Sequence, residues 1–236
     1  MTSSFTAHGL IDELIRSLRQ IAKQGWLGID CSSEALLIIE KWGKKKEVTR
    51  VSDTLAYIQK DLGQCQRCAL CQSRTRIIFG SGDPNAKLMF IGAEIESEDD
   101  LKGEPFLGEA GQLLTRILAA MKLTRKDVYL SNIVKCCPPN NRNPQKPEID
   151  ACKPFLERQI AAIAPLVICS LGGLATQTLL KTDQPISKLR GRFCDFNGIK
   201  VMPIFHPAEL LRHPEKKRDT WMDIQEIMRR LNIPVG

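Results

Sequence analysis

Apolar side chains at Leu10, Ile11, Leu14, Ile15, Leu18, Ile21 and Ala22 recur at three- and four-residue intervals between Gly9 and Gly25. That spacing gathers them on one side of a helix and predicts an amphipathic element. A second short helix is expected over 34–42. Lys44, Lys45 and Lys46 then interrupt the pattern and read as a solvated linker. A third helix is predicted from Asp53, whose carboxylate can cap the segment running to Leu62. Residues 1–52 are therefore expected to form a helical N-terminal extension, and 53–236 the main domain.

Beyond the extension, short apolar runs over 87–92, 128–132, 166–171 and 200–204 alternate with helical stretches over 109–122, 147–164, 174–180 and 214–231. Runs such as Leu166-Val167-Ile168-Cys169 show no polar alternation, as expected of strands covered by helices on both faces. The expected fold class is α/β, a three-layer α/β/α domain around a central four-stranded, mostly parallel sheet. Ligands of such sheets bind beyond the carboxyl ends of the strands. Attention therefore goes to the residues from Gly92 onward, from Asn132 onward, and to Phe205-His206-Pro207.

With 236 residues, 43% hydrophobic and 26% charged, the composition is that of a folded chain. No apolar run approaches the roughly 20 residues of a membrane helix, and residues 1–8 lack the basic and apolar regions of a signal peptide. A cytoplasmic protein with no membrane association is expected. The net charge of +7 favours a polyanionic partner such as nucleic acid.

Nine cysteines in such a chain argue for metal ligands, reactive thiols or small core residues in place of a disulfide framework. Cys65-Gln66-Arg67-Cys68 has the spacer that lets two sulfurs reach one metal centre. Alone, the pair fits a zinc ribbon, a redox dithiol or two iron–sulfur ligands. The dithiol reading is weakened because no strand precedes Cys65, and zinc because no second, separate pair of that spacing and no HxxxH follows. Cys136 and Cys152 flank a Pro/Asn-rich loop, while Cys31, Cys169 and Cys194 read as packing residues.

Further motifs follow in order: Cys65-x-x-Cys68-x-Leu70, Arg74 then Phe79-Gly80, Gly103-x-Pro105-Phe106-Leu107-Gly108-x-Ala110-Gly111-x-Leu113-Leu114 and Asn132-Ile133-Val134-Lys135-Cys136. After them come Pro138-Pro139-x-Asn141-Arg142, Ala151-Cys152-x-Pro154-x-Leu156, Leu171-Gly172, Leu189-Arg190-Gly191-Arg192 and His206-Pro207-Ala208. Over 64–231 this series resembles the family 4 uracil-DNA glycosylases, the iron–sulfur branch of their superfamily. The resemblance leaves out the N-terminal extension.

It implies a [4Fe–4S] cluster held by Cys65, Cys68, Cys136 and Cys152; because these ligands lie far in sequence from His206 the cluster is expected to be structural, and Cys71 and Cys137, each neighbouring a proposed ligand, are the alternatives that could substitute. It also implies a monomeric, monofunctional glycosylase that hydrolyses the N-glycosidic bond of uracil in single- or double-stranded DNA, the opening step of base excision repair. Phe106 would stack on the flipped base. The Asn132 amide would donate to a uracil carbonyl and accept from N3–H, separating uracil from cytosine. His206 would donate to uracil O2 and stabilise the departing anion. Arg190, Arg192 and Arg212, with Lys188, Lys216, Lys217 and Arg218, would form the phosphate-contacting surface, and the segment after His206 resembles the loop pressed into the duplex.

One motif departs from the pattern. Family members usually carry Gly-Glu-Ala-Pro-Gly after the first strand, whereas this chain has Gly92-Ala93-Glu94-Ile95-Glu96 and then Ser97-Glu98-Asp99-Asp100. The family glutamate orients the attacking water or steadies the cationic sugar, which needs a carboxylate at one place. Ala93 supplies none, so Glu94 is the candidate catalytic carboxylate beside His206, with Glu98 as a second possibility. Gly92, Ala93, Glu94, Glu98, Phe106, Asn132 and His206 are the candidate substrate-binding set. Glu96, Asp99 and Asp100 read equally well as a solvated loop. Two other functions fit the altered motif: an iron–sulfur DNA-binding protein with weak or no catalysis, and a glycosylase for another deaminated base.

Overall fold

The structure, a computed structural model, describes residues 53–93 and 95–235. The helices expected over 10–22 and 34–42, the lysine run and the boundary near 52 lie outside them, as does Glu94. Strands β1 (Ser81–Gly82), β2 (Leu88–Gly92), β3 (Tyr129–Asn132), β4 (Val167–Leu171), β5 (Cys194–Phe196) and β6 (Ile199–Ile204) form one sheet in the order β1-β3-β2-β4-β6-β5. The four central strands are parallel, as expected from the apolar runs. The two edge strands pair antiparallel and enlarge the sheet to six.

Alternate side chains of each central strand enter opposite faces, which is the period-two geometry of a strand. Leu88, Phe90, Cys169, Leu171, Met202 and Ile204 pack on one face against Leu114, Leu118, Ile224 and Ile227. Those partners lie on helices α3 (Glu109–Ala120) and α8 (Lys217–Arg230). Met89, Ile91, Ile168 and Val201 pack on the other face against Leu156, Ile160, Ala175 and Leu179. These come from α4 (Lys146–Ile163) and α5 (Gly172–Leu180). The three layers follow directly from that alternation.

Helix α1 (Leu55–Leu62) starts one residue later than expected: the Thr54 hydroxyl accepts from the Tyr57 amide at 3.2 Å. Asp53 instead receives the Arg158 guanidinium at 2.7 Å. Short helices α2 (Ser97–Lys102), α6 (Ile186–Leu189) and α7 (Pro207–Arg212) complete the domain. Among the described residues no helix is long and apolar enough to cross a membrane.

Candidate active site and thiol centre

Parallel register sets Gly92 beside Asn132 at the carboxyl ends of β2 and β3, and Leu171 beside Ile204 on β4 and β6. His206 follows β6 by two residues, so Asn132 and His206 stand on strands three inter-strand spacings apart, each about 4.8 Å. Gly92 lies between them on β2. A Cβ there would stand 2.7 Å from Asn132 Oδ1 and 2.8 Å from Phe106 Cζ, so glycine lets the amide and the ring close over this strand. Asn132 is 1% exposed, and its Nδ2 and Oδ1 are buried without a hydrogen-bond partner among the described residues. Folding leaves such groups unpaired at a cost of about 1–3 kcal/mol, so a buried donor and acceptor presented together point to a ligand that completes them.

Phe106 is buried and adopts φ 60°, a left-handed conformation that costs a side-chain-bearing residue about 1–2 kcal/mol. His206 is the N-cap of α7, and its Nδ1 accepts from the Ala208 amide at 3.2 Å. That bond uses the Nδ1 lone pair, so the neutral ring carries its proton on Nε2. Nε2 is the buried end of the ring and the one able to donate.

The acidic run is a scaffold. Asp99 and Asp100 are buried, contrary to a solvated loop, because backbone amides need their carboxylates. Asp100 accepts from the Thr75 and Arg76 amides at 2.7 and 3.1 Å, and Asp99 from the Leu107 amide at 2.7 Å. Glu96 precedes α2 as its N-cap, and its Oε2 would lie 1.9 Å from a Cβ placed on Gly108, so this carboxylate rests on the loop that follows Phe106. Glu98 is exposed and bonded to Lys102 at 2.7 Å on the outer side of α2. Ala93 and Ile95 are buried in the core.

The basic residues divide as well. Arg190 is turned inward: its Nε and Nη2 donate to Asp223 at 2.9 and 2.7 Å, leaving 17% of the side chain exposed. Burial pushes the Asp223 carboxyl up to about 6 against the opposing pull of Arg190. Arg192 and Arg212 are exposed.

Cys65 and Cys68 follow α1, Cys136 follows β3, and Cys152 is on α4. The structure brings these four into electrostatic reach: Cys152 feels Cys65 and Cys68, and Cys136 feels Cys68 and Cys152. Burial pushes the Cys136 thiol up to about 11, opposed by Arg74, whose Nη1 stands 3.4 Å from its sulfur. Arg67 Nη1 stands 3.5 Å from the Cys65 sulfur. Cys137 points elsewhere, donating to the Ile95 carbonyl at 3.3 Å. Among the described residues no three His, Cys, Asp or Glu side chains converge at the spacing of a single metal ion. One tetrahedral zinc would ask for sulfurs about 3.8 Å apart, given Zn–S bonds of about 2.3 Å.

Lys135 lies between the two sites. Its side chain is fully buried, and Nζ donates to Ser131 Oγ at 2.6 Å and to the Asn132 carbonyl at 2.9 Å. Burial lowers its ammonium to about 8, while the neighbouring Cys152 raises it.

Residues 79–227 match the model of the uracil DNA glycosylase superfamily. A type-4 uracil-DNA glycosylase of Saccharolobus solfataricus is 39% identical over 189 residues, which cover 76% of this chain and 88% of the relative. The chain belongs to this superfamily, in its type-4 branch. A type-4 enzyme of Thermotoga maritima is 38% identical over 178 residues, 74% of this chain and 93% of its own. A type-5 uracil-DNA glycosylase of Pyrobaculum aerophilum is more distant, at 28% over 172 residues, 66% of this chain and 75% of its own. Within the superfamily domain, Gly92, Phe106 and Asn132 are brought together and His206 is set beyond the same sheet edge, whereas Glu98 is not brought to them. The sequence offers no functional reading of Arg125, shows Lys135 only as a motif position, and leaves Asp99 in an acidic stretch that reads as a solvated loop. Only the unusual burial of charge distinguishes them, and burial is a property of the fold.

Proposed function

We propose that the protein is a monofunctional uracil-DNA glycosylase that hydrolyses the N-glycosidic bond of uracil in DNA and leaves an abasic site for base excision repair. The observation that carries this is the Asn132 amide, buried with donor and acceptor both unmet among the described residues and closed against Gly92 and the Phe106 ring. A uracil edge offers a carbonyl and an N3–H to that amide, whereas cytosine offers an unprotonated N3 and leaves the Asn132 acceptor without its donor. Phe106 stacks on the extruded base. His206 donates from Nε2 to O2 and stabilises the uracil anion as the bond to the sugar breaks; a neutral imidazole suffices for this. Glu94, two positions after the last residue of β2 in the sequence, is the proposed carboxylate that orients water toward the cationic sugar, because Glu98 is engaged by Lys102 and Ala93 has no carboxylate. DNA, single- or double-stranded, is held by Arg192 and Arg212, and Arg190 braces the same segment from inside. The protein works as a monomer in the cytoplasm.

Cys65, Cys68, Cys136 and Cys152 are proposed to hold a [4Fe–4S] cluster. The donor set fits it: four thiols from three separate elements, within electrostatic reach of one another, with Arg74, Arg67 and Lys135 beside them to offset thiolate charge. When bound, the cluster supplies a cross-link between these elements. Full-length protein is expected to contain about four irons per chain; stoichiometric zinc would contradict the assignment.

The test of function is release of free uracil, abolished by His206→Ala and by Asn132→Ala. Undiminished release by both variants would remove the assignment. The buried Ala93 favours a second reading, an iron–sulfur DNA-binding protein without turnover, for which restoring Glu at 93 and Ala at 94 would recover activity. A substrate panel of uracil, hypoxanthine and xanthine separates both from a glycosylase for another deaminated base.

A further inference from the structure

Phe106 reaches its left-handed conformation because both peptide groups that flank its Cα are held. Arg125 Nη2 donates to the Pro105 carbonyl at 2.6 Å, and Nη1 donates to the Phe106 carbonyl at 3.0 Å. The second of these peptides is gripped from its other side too, since the Leu107 amide donates to Asp99 Oδ1 at 2.7 Å. The first peptide plane sets φ of Phe106 and the second sets ψ, so one guanidinium fork and one carboxylate fix the backbone at this residue. A Cβ on Gly111 would fall 1.8 Å from the Phe106 carbonyl oxygen, so the first turn of α3 closes over the same group and leaves it no room to rotate. The ring ends against Gly92, beside the Asn132 amide.

The grip is made of buried charge. Asp99 is 1% exposed and Arg125 half-buried. Burial pushes the Asp99 carboxyl up, countered by backbone amides and by Arg125. Burial likewise lowers the Arg125 guanidinium, countered by Glu104 and Asp99. A loop needing only to be closed could use a neutral turn. A planar two-pronged cation spanning two successive carbonyls fixes direction, which a lysine cannot do.

We propose that Arg125, backed by Asp99, is a positioning residue that holds Phe106 in the conformation presenting its ring to the extruded base. This rests on the reading of Phe106 as the stacking residue. Arg125 touches neither base nor sugar in this scheme and acts only through Phe106.

The test uses full-length protein with Arg125→Ala, Arg125→Lys, Phe106→Ala and the Arg125→Ala/Phe106→Ala double variant. Readouts are single-turnover uracil release, inhibition by free uracil, binding to an oligonucleotide with an abasic-site analogue, and thermal melting. Arg125→Ala is expected to slow release by about 100-fold, the effect of misplacing a substrate-contacting group by an ångström or so. Inhibition by free uracil should weaken in parallel, while abasic-site binding stays unchanged because no base is stacked there. Guanidinium at sub-denaturing concentration should restore part of the rate. Arg125→Lys keeps a cation beside Asp99 and so guards against misfolding, yet should recover little. In the Phe106→Ala background, removing Arg125 should cost nothing further. Full release by Arg125→Ala, or an undiminished second loss in the double variant, would overturn the proposal alone. Full release by Phe106→Ala would remove the stacking reading and the proposal with it.

Discussion

Gly92→Ala places a methyl group where the structure has none to spare. The shortfall from the ordinary contact limit of 3.4 Å is about 0.7 Å at Asn132 Oδ1 and about 0.6 Å at Phe106 Cζ. Both neighbours are side chains, so they retreat while the β2 backbone, paired to β3 and β4, stays put. Overpacking of this kind costs about 1–3 kcal/mol, and the low end applies where side chains can yield. A melting temperature lower by about 2–4 °C follows for a domain of this size. The effect on chemistry is larger, because the two groups that move are those that read and stack the base. A displacement of half an ångström or more at both should slow single-turnover uracil release by about 10- to 100-fold and weaken inhibition by free uracil. Release at the parental rate with unchanged uracil inhibition would show that the Gly92–Asn132–Phe106 contact is not where the base is bound.

Other outcomes follow from the same geometry. Asn132→Leu should abolish uracil release and yet raise thermal stability by about 1 kcal/mol, since it removes a buried amide with no partner among the described residues; a lowered melting temperature would show that the amide is satisfied in the free protein. Lys135→Met should weaken iron retention by on the order of tenfold, measured as faster loss to a chelator, because the buried cation beside Cys152 is gone; identical iron loss would sever Lys135 from the thiol centre. Glu148 is buried and bonded by both Arg142 nitrogens at 2.9 and 2.7 Å, and Arg142 holds its carboxyl below the usual range. A depressed carboxyl contributes stability that is complete above its unfolded pKa and is lost as pH falls through the folded one. Glu148→Gln should therefore lower stability at neutral pH and flatten its decline in acid, as read by melting from pH 7 downward; an unchanged acid limb would contradict the pairing.

Much of this arrangement was legible in the chain. Continuous apolar runs disclosed the parallel strands because burial on both faces removes polar alternation. The carboxyl-end rule then led to Gly92, Asn132 and His206. The edge strands escaped for a physical reason: β1 has two residues, and β5 has three in a half-exposed stretch. One signal for β5 was present. Asn197-Gly198, with φ 52° and 87°, is the two-residue hairpin turn that joins it to β6. The acidic stretch looked like a surface loop because sequence cannot show that backbone amides of 75–76 and 107 return to it. For the same reason the Arg190–Asp223 pair, bridging 33 residues, was hidden, and a basic residue near His206 read as DNA-facing. The four proposed ligands came from the family motif, since Cys136 and Cys152 meet the Cys65 pair only once β3 and α4 are packed.

The most direct measurement is incubation of purified full-length protein with a uracil-containing oligonucleotide, single-stranded and duplex, followed by quantification of free base and of strand breaks. Free uracil with an intact abasic strand is the predicted result. Tight, salt-sensitive DNA binding with no base released would contradict it and leave the iron–sulfur DNA-binding protein in its place.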